Sequence, residues 1–166
     1  IIIVSDEIYS ELTYGEKHYS IAQFEEVKDK TLVINGVSKA YAMTGWRIGF
    51  IAAPEWIVKG CNKLQGQYTS GPCSVSQKAA EAAFAGDQQC VEDMRVAFER
   101  RKNLIVELAK EIPGLEVNNP QGAFYLFPKC SSFFGKEYNG QKINTSTDLA
   151  LFILEHAHVA SCNYCI

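Results

Sequence analysis

Residues 35–50 read NGVSKAYAMTGWRIGF, and set two cations, Lys39 and Arg47, into a stretch otherwise made of small, apolar and uncharged residues. Cations with no neighbouring acid either face water or wait for an anionic ligand. Just upstream, Leu32-Val33-Ile34 is a short β-branched run that suits a strand buried on both faces. Downstream, the run from Trp46 to Ala53 alternates loosely and stops at Pro54. About ten residues separate the two runs, whereas a parallel crossover takes about a dozen or more. The later run is therefore expected to return antiparallel to the earlier one.

Working outward, Ile1-Ile2-Ile3-Val4 is another buried-strand run, ending at Ser5-Asp6. Enough chain, with a short helix around Ile21 to Val27, separates it from Leu32 for a parallel crossover. The chain opens inside this strand with no methionine, turn or cap, and is expected to be the interior of a longer protein. Pro54-Glu55 opens a helix carrying Ile57, Cys61 and Leu64 on one face. Gly66 to Pro72 reads as loop, and Ser74 as the cap of a small-residue helix that runs to Phe84 and stops at Gly86. Val91, Met94, Phe98, Ile105, Leu108 and Ile112 then stripe one long helix that Pro113-Gly114 ends. Beyond it come short strands around Leu115 to Val117 and Ala123 to Phe127, a polar insertion from Ser131 to Asn144, and a helix from about Ser146 to Ala157. The change of pattern predicts two domains, 1–86 and 87–166.

The 166 residues, 47% of them hydrophobic, suffice for a sizeable core. A net charge of −3 with scattered lysines offers nucleic acid no basic face. No apolar run approaches the roughly 20 residues of a membrane span, and no signal peptide is evident, so the expected compartment is the cytoplasm. The six cysteines form no disulfide framework, and most are expected to be buried thiols. Cys162 and Cys165 make one tight pair without the second pair a zinc site would need. His156 and His158, two apart at a helix end, face different directions, so no metal site is expected.

In an open α/β sheet, ligands bind beyond the carboxyl ends of parallel strands. Asp6 follows the first strand and Lys39 the second, while Arg47 opens the returning third strand. Tyr9, three residues past Asp6, comes back beside that carboxylate if the chain makes a helical turn. An acid, a phenol, an amine and a guanidinium are thus expected around one pocket. Singly, each has a plainer reading: Asp6 as a helix cap, Tyr9 as a half-buried phenol, Lys39 and Arg47 as solvated charges.

Together and in this order, SDEIYSELTY at 5–14, SKAYAMTGWRIGF at 38–50 and GAFYLFP at 122–128 resemble the fold type I pyridoxal-phosphate aminotransferases of class I/II, the group that includes the aspartate aminotransferases. The resemblance runs from Ile1 to about Ala160. It implies the C-terminal part of a large, mostly parallel α/β cofactor domain followed by a smaller α+β domain. By this resemblance Lys39 forms the Schiff base with pyridoxal 5'-phosphate and Arg47 pairs with its phosphate. Asp6 sits beside the ring nitrogen, Tyr9 bonds the ring oxygen, and Phe124 lines the substrate side. The implied substrates are an amino acid, aspartate or similar, and a 2-oxo acid, and the implied assembly is a homodimer.

The sequence departs from the family in several places. Gly36 stands where many relatives place a phosphate-binding serine. The tail from Ser161 to Ile166 does not match, and the arginine expected for the substrate carboxylate is absent. The glycine-containing phosphate loop and the ring-stacking aromatic are also absent, so this chain is expected to be an incomplete enzyme. A pyridoxal-phosphate lyase of the same fold and a noncatalytic fragment are the alternatives.

Overall fold

The computed structural model describes residues 1–138 and 140–162. Its central sheet has three strands in the order β1 (Ile3–Asp6), β2 (Thr31–Gly36) and β3 (Gly49–Ala52). β1 and β2 are parallel, with Asp6 opposite Ile34, and β3 returns antiparallel, with Gly49 opposite Gly36. This is the arrangement that the strand spacing predicts. The crossover from β1 to β2 carries a 3-10 turn at Ile21–Gln23 and the short helix α1 (Glu25–Lys28).

α2 (Glu55–Tyr68) begins after Pro54, as the proline predicts, but runs through Gly66 instead of breaking there. One glycine inside a helix costs only about 1 kcal/mol relative to alanine, too little to end four turns of hydrogen bonds. α3 (Ser74–Ala85) has Cys73, not Ser74, at its N-cap position, with no side-chain cap hydrogen bond, and stops at Gly86. α4 (Gln89–Lys110) is the long striped helix.

The strand expected near 115–117 is present only as an isolated bridge, Glu116 to Lys129, and the one expected near 123–127 does not form, an isolated bridge joining Thr13 to Gly122 just before it. The polar insertion instead folds a hairpin of β4 (Lys136–Tyr138) and β5 (Gln141–Ile143). Alternating hydrophobicity marks a half-buried strand, and this exposed β4 has none to show. α5 (Ser146–Ala157) opens with a capping box. Thr145 accepts from the Asp148 N–H at 3.2 Å, and the Asp148 carboxylate accepts from the Thr145 N–H at 2.9 Å.

The chain forms two compact units. One comprises Ile1–Glu99 with Gln121–Ala123; the other comprises Arg100–Pro120 and the chain from Phe124 on. In the first, Val37, Ile48 and Ala80 make a buried cluster with Tyr41 and Met43 packed against it. In the second, Cys130, Ile143 and Leu149 are buried beneath Leu115, Phe133, Phe152 and Ile153.

Among the described residues no helix is long and apolar enough to cross a membrane. Of the described cysteines only Cys130 is buried, and Cys73, Cys90 and Cys162 are exposed, contrary to the expectation of mostly buried thiols. Cys165 lies outside the described residues, and with it the Cys162–Cys165 pair.

Candidate active site

The loop from Val37 to Ile48 is anchored at its two ends by buried apolar side chains, while Trp46 and Arg47 are exposed. Val37 is fully buried and Ile48 nearly so, each burial stabilising the fold by about 1.5–3 kcal/mol. The Tyr41 ring meets Phe84 of α3 edge-on at 5.3 Å, and its hydroxyl donates to the Gln88 amide oxygen at 2.7 Å. The Tyr41 and Met43 N–H groups both donate to the Val37 carbonyl, and the Thr44 hydroxyl donates to the Ser38 carbonyl at 3.0 Å. A loop pinned on both sides of Lys39 leaves its half-buried side chain few directions to take.

Lys39 extends over the Tyr9 ring, with Nζ 5.5 Å from the ring centre. That distance lies within the range of a cation–π contact. Tyr9 belongs to consecutive hydrogen-bonded turns after β1, not to a helix: the Ser10 N–H donates to the Glu7 carbonyl, and the Leu12 N–H to the Tyr9 carbonyl, both at 2.9 Å. The same turn is tied to β2, where the Asn35 amide donates to the Ser10 hydroxyl at 3.2 Å.

Asp6 is the last residue of β1. Its carboxylate accepts the Ile8 N–H at 3.2 Å, so it does hold the start of the turn, as a cap would. Arg47 follows a 3-10 turn at Thr44–Trp46 and takes the left-handed conformation, φ 55° and ψ 46°. Its guanidinium donates to the Thr44 carbonyl at 3.0 Å.

Because β1 and β2 are parallel and β3 returns, Asp6, Lys39 and Arg47 all stand at the same edge of the sheet. Lys39 and Tyr9 are in contact there. Arg47 lines an adjoining cleft of about 670 Å³ walled by β3 and α2, and the other three residues are not among that cleft's walls. Phe124 belongs to the second unit, where its ring lies against Tyr125 at 5.1 Å.

Gly36 has a structural reason of its own. A side chain there would place its first carbon 2.7 Å from the Ile48 carbonyl oxygen and 3.0 Å from the Gly49 Cα. Close approach of β3 to β2 therefore excludes a serine at this position.

Glu7 is not marked as a site residue by the sequence alone. It is 7% exposed, and its carboxylate receives Ser20 Oγ at 2.7 Å, Ser5 Oγ at 3.1 Å and His18 Nε2 at 3.1 Å. Burial pushes this carboxyl up, but the three hydrogen bonds and the His18 charge outweigh it and hold it below its ordinary value. An acid immediately after a buried strand, with a histidine and serine in the following loop, was the signal available.

The sheet order and the crossover, with Asp6, Lys39 and Arg47 at the same end of the sheet and Lys39 over Tyr9, describe an α/β domain with polar groups beyond its strand ends. The family model for aminotransferase class I and II matches residues 1–163, and the chain belongs to that family.

It is 54% identical over 132 residues to the aspartate aminotransferase of Geobacillus stearothermophilus, covering 78% of this chain and 34% of that protein. It is 44% identical over 166 residues to the bifunctional aspartate aminotransferase and glutamate/aspartate-prephenate aminotransferase of Petunia hybrida, covering 96% of this chain and 34% of that one. The crystal structure of the aspartate aminotransferase from Rhizobium meliloti superposes with a TM-score of 0.91 at 41% identity, covering 96% of this chain and 40% of that one. The chain thus spans about a third of the length of the curated relatives it matches.

The residue types at this end of the sheet are chemically suited to pyridoxal phosphate. A phosphate suits a guanidinium, a pyridine nitrogen a carboxylate, a phenolic oxygen a phenol, and an aldehyde an amine.

Proposed function

We propose that the protein to which this chain belongs is a pyridoxal-phosphate-dependent aminotransferase, moving an amino group from aspartate or a similar amino acid to a 2-oxo acid. The observation that carries the reading is the amine of Lys39 held over the Tyr9 ring at the strand edge where Asp6 also ends. The names of the relatives favour aspartate as donor.

When bound, the cofactor supplies an electrophilic aldehyde and a ring that accepts electrons. Lys39 would hold the cofactor through its amine, and that amine is the group that would serve as base and then as acid for the proton at the substrate Cα. Asp6 would supply a carboxylate to the ring nitrogen and so favour its protonated form. Tyr9 orients the ring through its oxygen. Arg47 presents a planar fork to the phosphate, which anchors the ring without taking part in proton transfer. Phe124 bounds the substrate side. Residues 1–86 are assigned to the large cofactor domain and 87–166 to the small one, in a cytoplasmic homodimer.

The experiment is borohydride reduction of the intact protein in the presence of pyridoxal phosphate, followed by peptide mass analysis. The expected result is a reduced-cofactor adduct on Lys39 that is absent in Lys39→Ala. Incubation with aspartate and a 2-oxo acid should yield the exchanged pair of acids. An unmodified Lys39 at saturating cofactor defeats the proposal, and release of ammonia in place of amino exchange redirects it to a lyase.

A further inference from the structure

Glu7 takes no direct part in the chemistry above, yet it is nine-tenths buried, carries a carboxylate, and sits next to Asp6 and two residues from Tyr9. Its side chain gathers three residues from two segments. Ser5 comes from β1, and His18 and Ser20 from the loop that follows the turn. Its main chain reaches two more: its N–H donates to the Ile34 carbonyl of β2 at 2.8 Å, and its carbonyl accepts the Ser10 N–H at 2.9 Å. Ser10 is in turn held by Asn35, whose side-chain oxygen accepts the Gly36 N–H at 2.7 Å. Tyr9 therefore lies between two anchored residues, and one of those anchors is fixed by a buried charge.

We propose that Glu7 is a positioning residue for Tyr9: its carboxylate clamps the loop carrying His18 and Ser20 against the end of β1, and so sets where the Tyr9 ring stands beneath Lys39. The inference rests on the cofactor reading for its functional consequence, but not for the clamp itself.

The physical basis is the asymmetry of buried polar groups. A carboxylate facing three donors is satisfied only while all remain in place, and removing its charge leaves hydroxyl and imidazole donors to find new partners. The loop they belong to is otherwise exposed at Gly15, Glu16 and Lys17, and has little apolar contact to keep it down. His18 also faces a groove of about 740 Å³ whose charged walls include Glu11, Glu16, Lys17, Glu92, Arg95 and Glu99. Arg95 is engaged there by Glu92 and Glu99 at 2.8 and 2.9 Å, an arrangement separate from the Glu7 contacts.

The test uses the intact protein with 13C-labelled tyrosine rings, the Tyr9 signals being assigned by their loss in Tyr9→Phe. In Glu7→Gln, which keeps the shape and removes the charge, the Tyr9 signals should shift or broaden while those of Tyr41, bonded to Gln88 in a different cluster, stay in place. His18→Ala, at a partly exposed position that folding tolerates, should give the same change at smaller amplitude. Pyridoxal phosphate, titrated by fluorescence, should bind about tenfold more weakly to Glu7→Gln.

Tyr9 signals unmoved in both variants, or an unchanged cofactor Kd in a Glu7→Gln protein, overturn the inference. A wild-type protein that binds no pyridoxal phosphate overturns the function proposed above instead, and the ring signals then decide the clamp alone.

Discussion

Lys39 and Tyr9 leave different strands, yet Lys39 Nζ stands 5.5 Å from the centre of the Tyr9 ring. β1 and β2 are parallel neighbours, β1 ending at Asp6 opposite Ile34 and β2 running on to Gly36, so the turns that follow them lie at the same end of the sheet. The contact is a product of topology, because nothing in the local sequence of either loop requires the other.

Tyr9 contributes a ring to this contact and a hydroxyl to the proposed cofactor. Tyr9→Phe keeps a ring under Lys39, so Tyr9→Leu should lose about 0.5–1 kcal/mol of cation–π stabilisation beyond whatever Tyr9→Phe loses. Cofactor affinity should fall in both. Calorimetry and a fluorescence titration on the same variants separate the two contributions, and equal destabilisation by Phe and Leu contradicts the ring contact.

Arg47 holds a left-handed conformation that side chains other than glycine adopt at a cost. Arg47→Gly should therefore raise folding stability by about 1 kcal/mol in urea unfolding while weakening phosphate binding. Arg47→Lys keeps the charge and loses the fork, so its cofactor Kd should rise about tenfold with little change in stability. A residue retained for structure would move both quantities in one direction.

Gly36→Ala places a carbon against main-chain atoms of Ile48 and Gly49 that cannot rotate away. The expected cost is about 1–3 kcal/mol of unfolding free energy, read from the urea midpoint at an unchanged slope. Gly45→Ala, where a new carbon meets nothing within 4 Å, serves as the control and should be near neutral.

The pH dependence of stability follows from Glu7. Its carboxyl is depressed in the folded state, so the stabilisation is fully present above its ordinary value of 4.5 and is lost as pH falls through the lower, folded-state value. Below pH 4.5 the wild type should lose stability more steeply than Glu7→Gln, which has no proton to bind at that position. Parallel slopes in urea unfolding across that window contradict the buried, ionised carboxylate.

Much of this molecule is legible along the chain. The β-branched runs, the short span between Ile34 and Trp46, the proline at 54 and the stripe from Val91 to Ile112 lead to β2, β3, α2 and α4, because each depends on hydrophobic period, loop length or a residue that stops a helix. The same chemistry along the sequence marked Asp6, Tyr9, Lys39 and Arg47 as candidates. Glu7 escaped notice since its partners Ser5, His18 and Ser20 are ordinary residues until folding brings them around one carboxylate. The reach of α2 through Gly66 and the hairpin inside the polar insertion were also hidden, the first a contest between a weak local penalty and a cooperative helix, the second a strand pair without a buried face.

By itself, then, the order of residues determined the strand directions and the edge at which the charged groups gather. Only tertiary structure decided that Lys39 lies over Tyr9, that Gly36 must be bare to admit β3, and that Glu7 is buried among three donors. Periodicity and chain length act locally and survive in one dimension. Contacts between separate turns depend on distances in three dimensions that no single segment encodes.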